Sequence, residues 1–200
     1  MRHRVVADVR ELPSYGFGPR VLTWWGTLGF VVLEATGFAL AIGTYLYLAA
    51  LSSQWPIAAP PPELLPGTLL TIVLLLSVVP NVLLRNWAIE QDLRKVRIGI
   101  IIMSALGLVP IAIRGWEIAR LNVSWDANAY GSIVWTLLGL HTTHIVTDVA
   151  DTLVLAALMF TRHADNPMRL SDVTDNVFYW NFVVVSWIPI YLLLYWFPRW

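Results

Sequence analysis

The sequence predicts an all-α, polytopic integral membrane protein: a bundle of five transmembrane helices. Three observations carry that reading. Hydrophobic residues make up 58% of the 200 residues and charged residues only 13%, against about 25% charged in an ordinary globular chain. Mean hydropathy is +0.65. Five stretches reach roughly the 20 apolar residues needed to cross a hydrocarbon core. Inside lipid only helices or closed barrels satisfy their own backbone groups, and stretches of this length are helical.

The five spans are read at 22–51, 66–86, 96–116, 130–160 and 176–197. The first is far longer than the 7 to 15 or so apolar residues of a signal-peptide core, so it is read as a retained span. The connector Ala58-Ala-Pro-Pro-Pro-Glu-Leu-Leu-Pro66 is a stiff extended segment that stops one helix and starts the next. Pro80, Pro110 and Pro189 fall inside spans, where neighbouring helices accommodate the kink. No repeat, low-complexity tract or change of composition divides the chain, so 1–200 is read as a single five-helix membrane domain.

Charge placement gives an orientation. Arg2, Arg4, Arg10, Arg20, Arg85, Arg94, Lys95, Arg97, Arg162 and Arg169 fall on one side of the five spans, against Arg114, Arg120 and Arg199 on the other. Cytoplasmic flanks collect Lys and Arg, which puts the N-terminus inside and the C-terminus outside. The 13 basic and 13 acidic residues cancel, leaving no basic footprint for nucleic acid. With no cysteine, a disulfide framework, an iron–sulfur cluster, a covalently attached haem and a catalytic thiol are excluded.

Ionisable side chains at membrane depth are costly and face the bundle interior. Glu34 lies twelve residues past Leu22, about 18 Å along a helix and near mid-bilayer. It is read either as an acid hydrogen-bonded to a neighbouring helix or as a lipid or proton site. His141, His144, Asp148 and Asp151 follow at spacings of 3, 4 and 3, a polar stripe within an arc of roughly 80°. The first two reach the depth of Glu34, so Glu34 is expected to pair with His141 or His144. Asp148 and Asp151 are expected to meet Asn181 of the last span. Two histidines at i and i+3 point the same way and cannot take opposite axial positions on one haem. His3 and His163 lie in flanks. The stripe is therefore read as a hydrogen-bonded seam between helices, with no metal assigned. Glu117 and Arg120, one turn apart, are read as an interfacial ion pair. No phosphate loop, zinc-protease pair or nucleophile elbow is present, and no catalytic site is assigned.

Four segments then acquire a common meaning. Trp25-Gly-Thr-Leu-Gly-Phe-Val-Val-Leu-Glu34 is an apolar run leading to a buried glutamate. Arg114-Gly-Trp-Glu117 follows, then Tyr130-Gly-Ser132 with Gly139-Leu-His141-Thr-Thr-His144-Ile145, and last Tyr179-Trp-Asn-Phe-Val-Val-Val-Ser-Trp187. In order and spacing these segments resemble subunit III of the haem–copper terminal oxidases, the cytochrome c oxidase group, in its short five-helix form. The chain departs from that pattern at Arg114 for Gln, Asp148 for Gly, Asn181 for His and Val184 for Asp. The resemblance implies a non-catalytic subunit without haem or copper of its own, those groups belonging to the partner catalytic subunit. It implies packing on subunit I in a complex that also holds subunit II, bound phospholipid, and support of proton uptake, turnover stability and aerobic electron transport in a bacterial cytoplasmic membrane. Glu34, His141 and His144 become the expected lipid-facing or proton-side network, and Trp24, Trp25 and Trp187 are expected to pack lipid or helix. An accessory subunit of nitric oxide reductase shares the pattern. A small proton-coupled transporter relaying through Glu34 and the stripe is the rival from another class, and a lipid-binding assembly factor is a third.

Overall fold

The computed structural model describes residues 16–166 and 168–200. Arg2, His3, Arg4 and Arg10 lie outside the described residues, as does the side chain of His163. Five helices, α1 (Leu22–Leu51), α2 (Leu64–Ile89), α3 (Leu93–Ala119), α4 (Ala129–Met159) and α5 (Met168–Tyr191), are long and apolar enough to span a membrane, and no strand occurs among the described residues. The chain is an all-α integral membrane protein.

Local chemistry sets several helix ends. α1 begins and stops where its apolar run does, between extended Val21 and Ser52. Asp92 opens α3 by accepting the Lys95 amide at 3.1 Å and pairing with Lys95 Nζ at 2.9 Å. That lysine holds the Asp92 carboxyl below its usual range. Asn128 opens α4 by accepting the Gly131 amide at 2.8 Å, satisfying a donor with no partner inside the helix. α5 begins at Met168, two turns before the expected 176. Its first turns are polar, but Thr174 returns its hydroxyl to the Ser171 carbonyl at 2.8 Å and Asn176 faces α4, so polarity there does not mean solvent. Beyond Pro189 the helix loosens into a π turn, Leu192–Trp196.

α2, α3, α4 and α5 each pack on two neighbours and close a four-helix ring, while α1 lies outside it against α4 and α5. Leu70, Leu74, Ile100, Leu137, Leu138 and Val183 fill the ring. α1 leans on one groove and fully buries only Phe38 and Tyr45. The α2–α5 seam carries a polar ladder that its hydropathy hides. Thr68 Oγ1 bonds Tyr191 Oη at 2.8 Å, Trp187 donates to Thr71 Oγ1 at 2.8 Å, and Trp180 donates to Ser77 Oγ at 2.8 Å. Asn81 donates to the Val177 carbonyl at 3.0 Å and to Asn181 Oδ1 at 3.1 Å. Such bonds replace the hydrophobic drive that helices lack in lipid. Near one end of the seam the Tyr195 ring lies so close over Gly67 that a Cβ there would collide with it.

Two ends of the bundle are distinguishable. One carries the start of α1, the α2–α3 turn and the α4–α5 connection, with Arg94, Lys95, Arg97 and Arg169; Arg97 donates to the Met159 carbonyl at 2.7 Å. At the other end Arg120 pairs with Glu63 at 3.1 Å and Arg199 donates to the Pro62 carbonyl at 2.6 Å, tying the proline-rich connector to α3 and to the C-terminus.

Candidate functional site

The polar stripe of α4 divides between two settings, and Phe38 of α1 is the wedge between them, its ring 4.8 Å from that of His144 and 6.3 Å from that of His141. On the cation-rich side of Phe38 a cleft of about 800 Å³ runs between α1 on one wall and α4 with α5 on the other. Glu34, His144, Asp148, Asp151 and Asn176 line it.

Glu34 pairs with His144, not with His141. Its Oε1 lies 3.2 Å from His144 Nε2, and Oε2 accepts the Tyr179 hydroxyl at 2.7 Å. His144 Nδ1 lies 2.6 Å from the Leu140 carbonyl. A carbonyl only accepts, so Nδ1 carries a hydrogen. A proton delivered between Nε2 and Glu34 Oε1 gives either an imidazolium beside a carboxylate or a neutral imidazole beside a carboxylic acid. The arrangement can hold, share and pass a single proton.

One turn along α4, Asn176 bridges the two aspartates, donating to Asp148 Oδ1 at 3.3 Å and to Asp151 Oδ2 at 3.1 Å and accepting from Thr152 at 3.2 Å. Asn181 is not the partner expected from the sequence. Five residues turn a helix by about 500°, so Asn176 and Asn181 lie some 140° apart; one faces α4 and the other meets Asn81 of α2.

On the other side of Phe38 is a buried ionic group. Arg114 is 1% exposed and Glu117 2%, and Arg114 Nη1 donates to Glu117 Oε2 at 2.6 Å. Arg114 Nη2 lies 3.0 Å from His141 Nδ1, and the guanidinium stacks 4.3 Å from the Trp187 ring. Tyr195 donates its hydroxyl to Glu117 Oε1. Arginine has no acceptor, so His141 Nδ1 accepts and Nε2 donates to the Val183 carbonyl at 3.0 Å. His141 is thereby fixed as one neutral tautomer. The expected Glu117–Arg120 pair does not form. Arg114 and Arg120 are each three residues from Glu117, but only Arg114 points inward to Trp187 and His141, and Arg120, 54% exposed, turns to Glu63.

The tryptophans separate too. Trp187 belongs to the buried ionic group. Trp24 packs on Phe178 with ring centroids 5.8 Å apart, beside a smaller cavity of about 280 Å³ that Arg85 also lines. Trp25 stays exposed and donates to the Pro19 carbonyl at 3.0 Å. None of the three lines the Glu34 cleft. Tyr179, Asn176, Asn81 and Tyr195 complete these networks, yet nothing in their local sequence separates them from belt or core residues.

The family model for cytochrome c oxidase subunit III matches residues 23–199. The chain belongs to the cytochrome c oxidase subunit III family. Its similarity to curated members is spread along nearly the whole chain. Cytochrome c oxidase subunit 3 of Thermostichus vulcanus is 27% identical over 173 residues, covering 85% of this chain and 85% of that protein. The Synechocystis sp. protein is 27% identical over 181 residues, covering 87% and 75%, and the Drosophila yakuba protein 24% over 183 residues, covering 86% and 68%. The two settings on either side of Phe38 are thus features of a subunit III chain.

The donor sets also bear on metal and haem. Among the described residues no group of three or more His, Asp or Glu side chains is placed to hold a metal ion. Both nitrogens of His141 are engaged in hydrogen bonds, and those of His144 face Leu140 and Glu34. These residues do not fit a haem or copper centre.

Proposed function

We infer that this chain is a non-catalytic subunit of a respiratory haem–copper terminal oxidase, seated on subunit I in a complex with subunit II. Haem, copper and the oxygen chemistry belong to the catalytic partner. The observation that carries the reading is the cleft between α1 and the α4–α5 pair, with Glu34, His144 and Tyr179 joined in its wall. Its mixed lining suits a phospholipid acyl chain along Phe30, Val154 and Leu158 and a shared proton at Glu34. In this reading the bound lipid keeps the subunit interface packed, and the polar wall supports proton uptake and turnover stability. The cation-rich end faces the cytoplasm, following the excess of Lys and Arg there.

The test is to extract the tagged chain from its native membrane in mild detergent and record the visible spectrum and subunit masses of what accompanies it. Stoichiometric haem, copper and a larger multi-span partner are expected. A colourless chain without such a partner overturns the assignment and makes proton-linked flux in vesicles the next measurement.

A further inference from the structure

Beyond Glu34 the cleft continues toward the cation-rich end, and its two walls repeat one pattern. On α4, His144, Asp148 and Asp151 follow at spacings of 4 and 3; on α5, Tyr179, Asp175 and Asp172 do the same in the opposite chain direction. Residues three or four apart are neighbours on a helix surface, so each wall carries a continuous row of ionisable groups, and Glu34 of α1 closes the deep end. Counting eleven residues back from Met159, Asp148 lies about 16 Å inside the end of α4.

Among the described residues, the acids of this row have few cations beside them. Apart from the aspartates themselves, α1 presents Glu34 to the row, α4 presents His144, and α5 presents Tyr179 and Arg169, the last already paired with Asp172 at 2.8 Å. Arg97 of α3 is engaged with the Met159 carbonyl. Two oxygens point to an exogenous occupant. Asp148 and Asp175 are 2% and 7% exposed, and Asp148 Oδ2 and Asp175 Oδ1 have no hydrogen-bond partner among the described residues. A buried carboxylate oxygen left unpaired is costly, and in a polar cleft of this size water or a proton removes the cost.

We propose that Asp172, Asp175, Asp151 and Asp148 form a proton-loading ladder that connects the aqueous phase at the Arg169 end to the Glu34–His144 pair. A proton taken from water by an outer carboxylate is handed, directly or through water, to the next carboxylate. Each donor returns to its charged form, and the proton ends between Glu34 Oε1 and His144 Nε2. Asp148 is the last rung, one helical turn from His144. The path stops there: Phe38 separates it from His141, and the fixed charge of Arg114, bonded to His141 Nδ1, opposes a proton moving farther. The ladder is thus a half-channel with one open end.

This deepens the proton-supporting role above and rests on it, but the two fail separately. The exchange measurement needs no haem partner, and co-purification needs no intact Asp148. The full-length chain in phospholipid nanodiscs is moved from H2O to D2O, and the shifts of its protonated-carboxyl and imidazolium infrared bands are followed in time, with the share of the Glu34–His144 pair identified by Glu34→Gln. A proton-transferring side chain is worth about a hundredfold or more in rate, and water passing the gap retains part of this. Exchange of the pair is therefore expected to slow by at least about tenfold in Asp148→Asn and to recover in Asp148→Glu. Asp151→Asn, expected to slow exchange as well, serves if circular dichroism shows that Asp148→Asn does not fold. Exchange of the pair within about twofold of wild type in a folded ladder variant overturns the proposal. So does an Asp148 band that fails to exchange in the wild-type chain.

Discussion

Replacing Arg114 by methionine removes the centre of the buried ionic group while keeping most of the side chain's volume. The magnitude follows from what is left behind. Glu117, 2% exposed, loses a 2.6 Å ion pair and keeps only the Tyr195 hydroxyl; His141 loses its 3.0 Å donor and Trp187 its stacked cation. Removing one partner of a buried ion pair costs about 3–5 kcal/mol, a factor of about one hundred to a few thousand in the unfolding equilibrium. If the cost arises from the stranded charge, adding Glu117→Gln should return part of it, because the amide oxygen still accepts from Tyr195. Coupling between contacting groups of this kind is about 0.5–3 kcal/mol, whereas the stacking on Trp187, about 0.5–2 kcal/mol, is not regained. The assay is detergent-induced unfolding in mixed micelles followed by helical circular dichroism, for wild type, both single variants and the double. An Arg114→Met cost below about 1 kcal/mol, or a double variant no more stable than Arg114→Met, refutes the argument that Arg114 holds the Glu117 charge inside the bundle.

Gly67→Ala places a Cβ against the Tyr195 ring; overpacking costs about 1–3 kcal/mol, whereas Gly115→Ala, at a helix position with nothing within 4 Å of the new carbon, should be neutral or stabilising by up to about 1 kcal/mol in the same unfolding assay. Asn81→Leu strips Asn181 of its partner and should cost about 1–3 kcal/mol, with Asn81→Leu/Asn181→Leu closer to wild type; a double variant worse than the sum of its parts contradicts the pairing. A hydrophobic carbodiimide entering the cleft from the lipid should label Glu34, and Glu34→Gln should abolish the labelled peptide. Mass spectrometry that finds the label on another carboxyl speaks against Glu34 as the acid reached from lipid.

Apolar length and proline positions are properties of short windows, and they marked all five spans. The start of α5 escaped them because Ser171, Thr174, Asp175 and Asn176 read as solvent-facing until the facing wall of α4 is known. The site was legible in the same uneven way. Glu34 and the α4 stripe stood out because ionisable groups are rare at such depth. Their partners did not, because partnership depends on rotation about an axis. Asn176 and Asn181 differ by some 140° of helix, and Arg114 and Arg120 are equally distant from Glu117 in sequence. What decided between them was Trp187, His141 and Tyr195 arriving from other helices. Asp172 and Asp175 had no reading until α5 was seen to line the cleft.

The placement of α1 outside the ring has a consequence for biogenesis. α1 leaves the ribosome before the other four helices, yet it packs on α4 and α5, which follow α2 and α3 in the chain. Tyr179, which bonds Glu34, is 145 residues downstream. At about 5–20 residues per second, roughly 7–30 s pass between synthesis of the glutamate and synthesis of its partner. Through that interval the nascent helix carries a lone carboxyl at membrane depth. Holding α1 near the insertion machinery until α5 emerges is a requirement that the topology places on the cell.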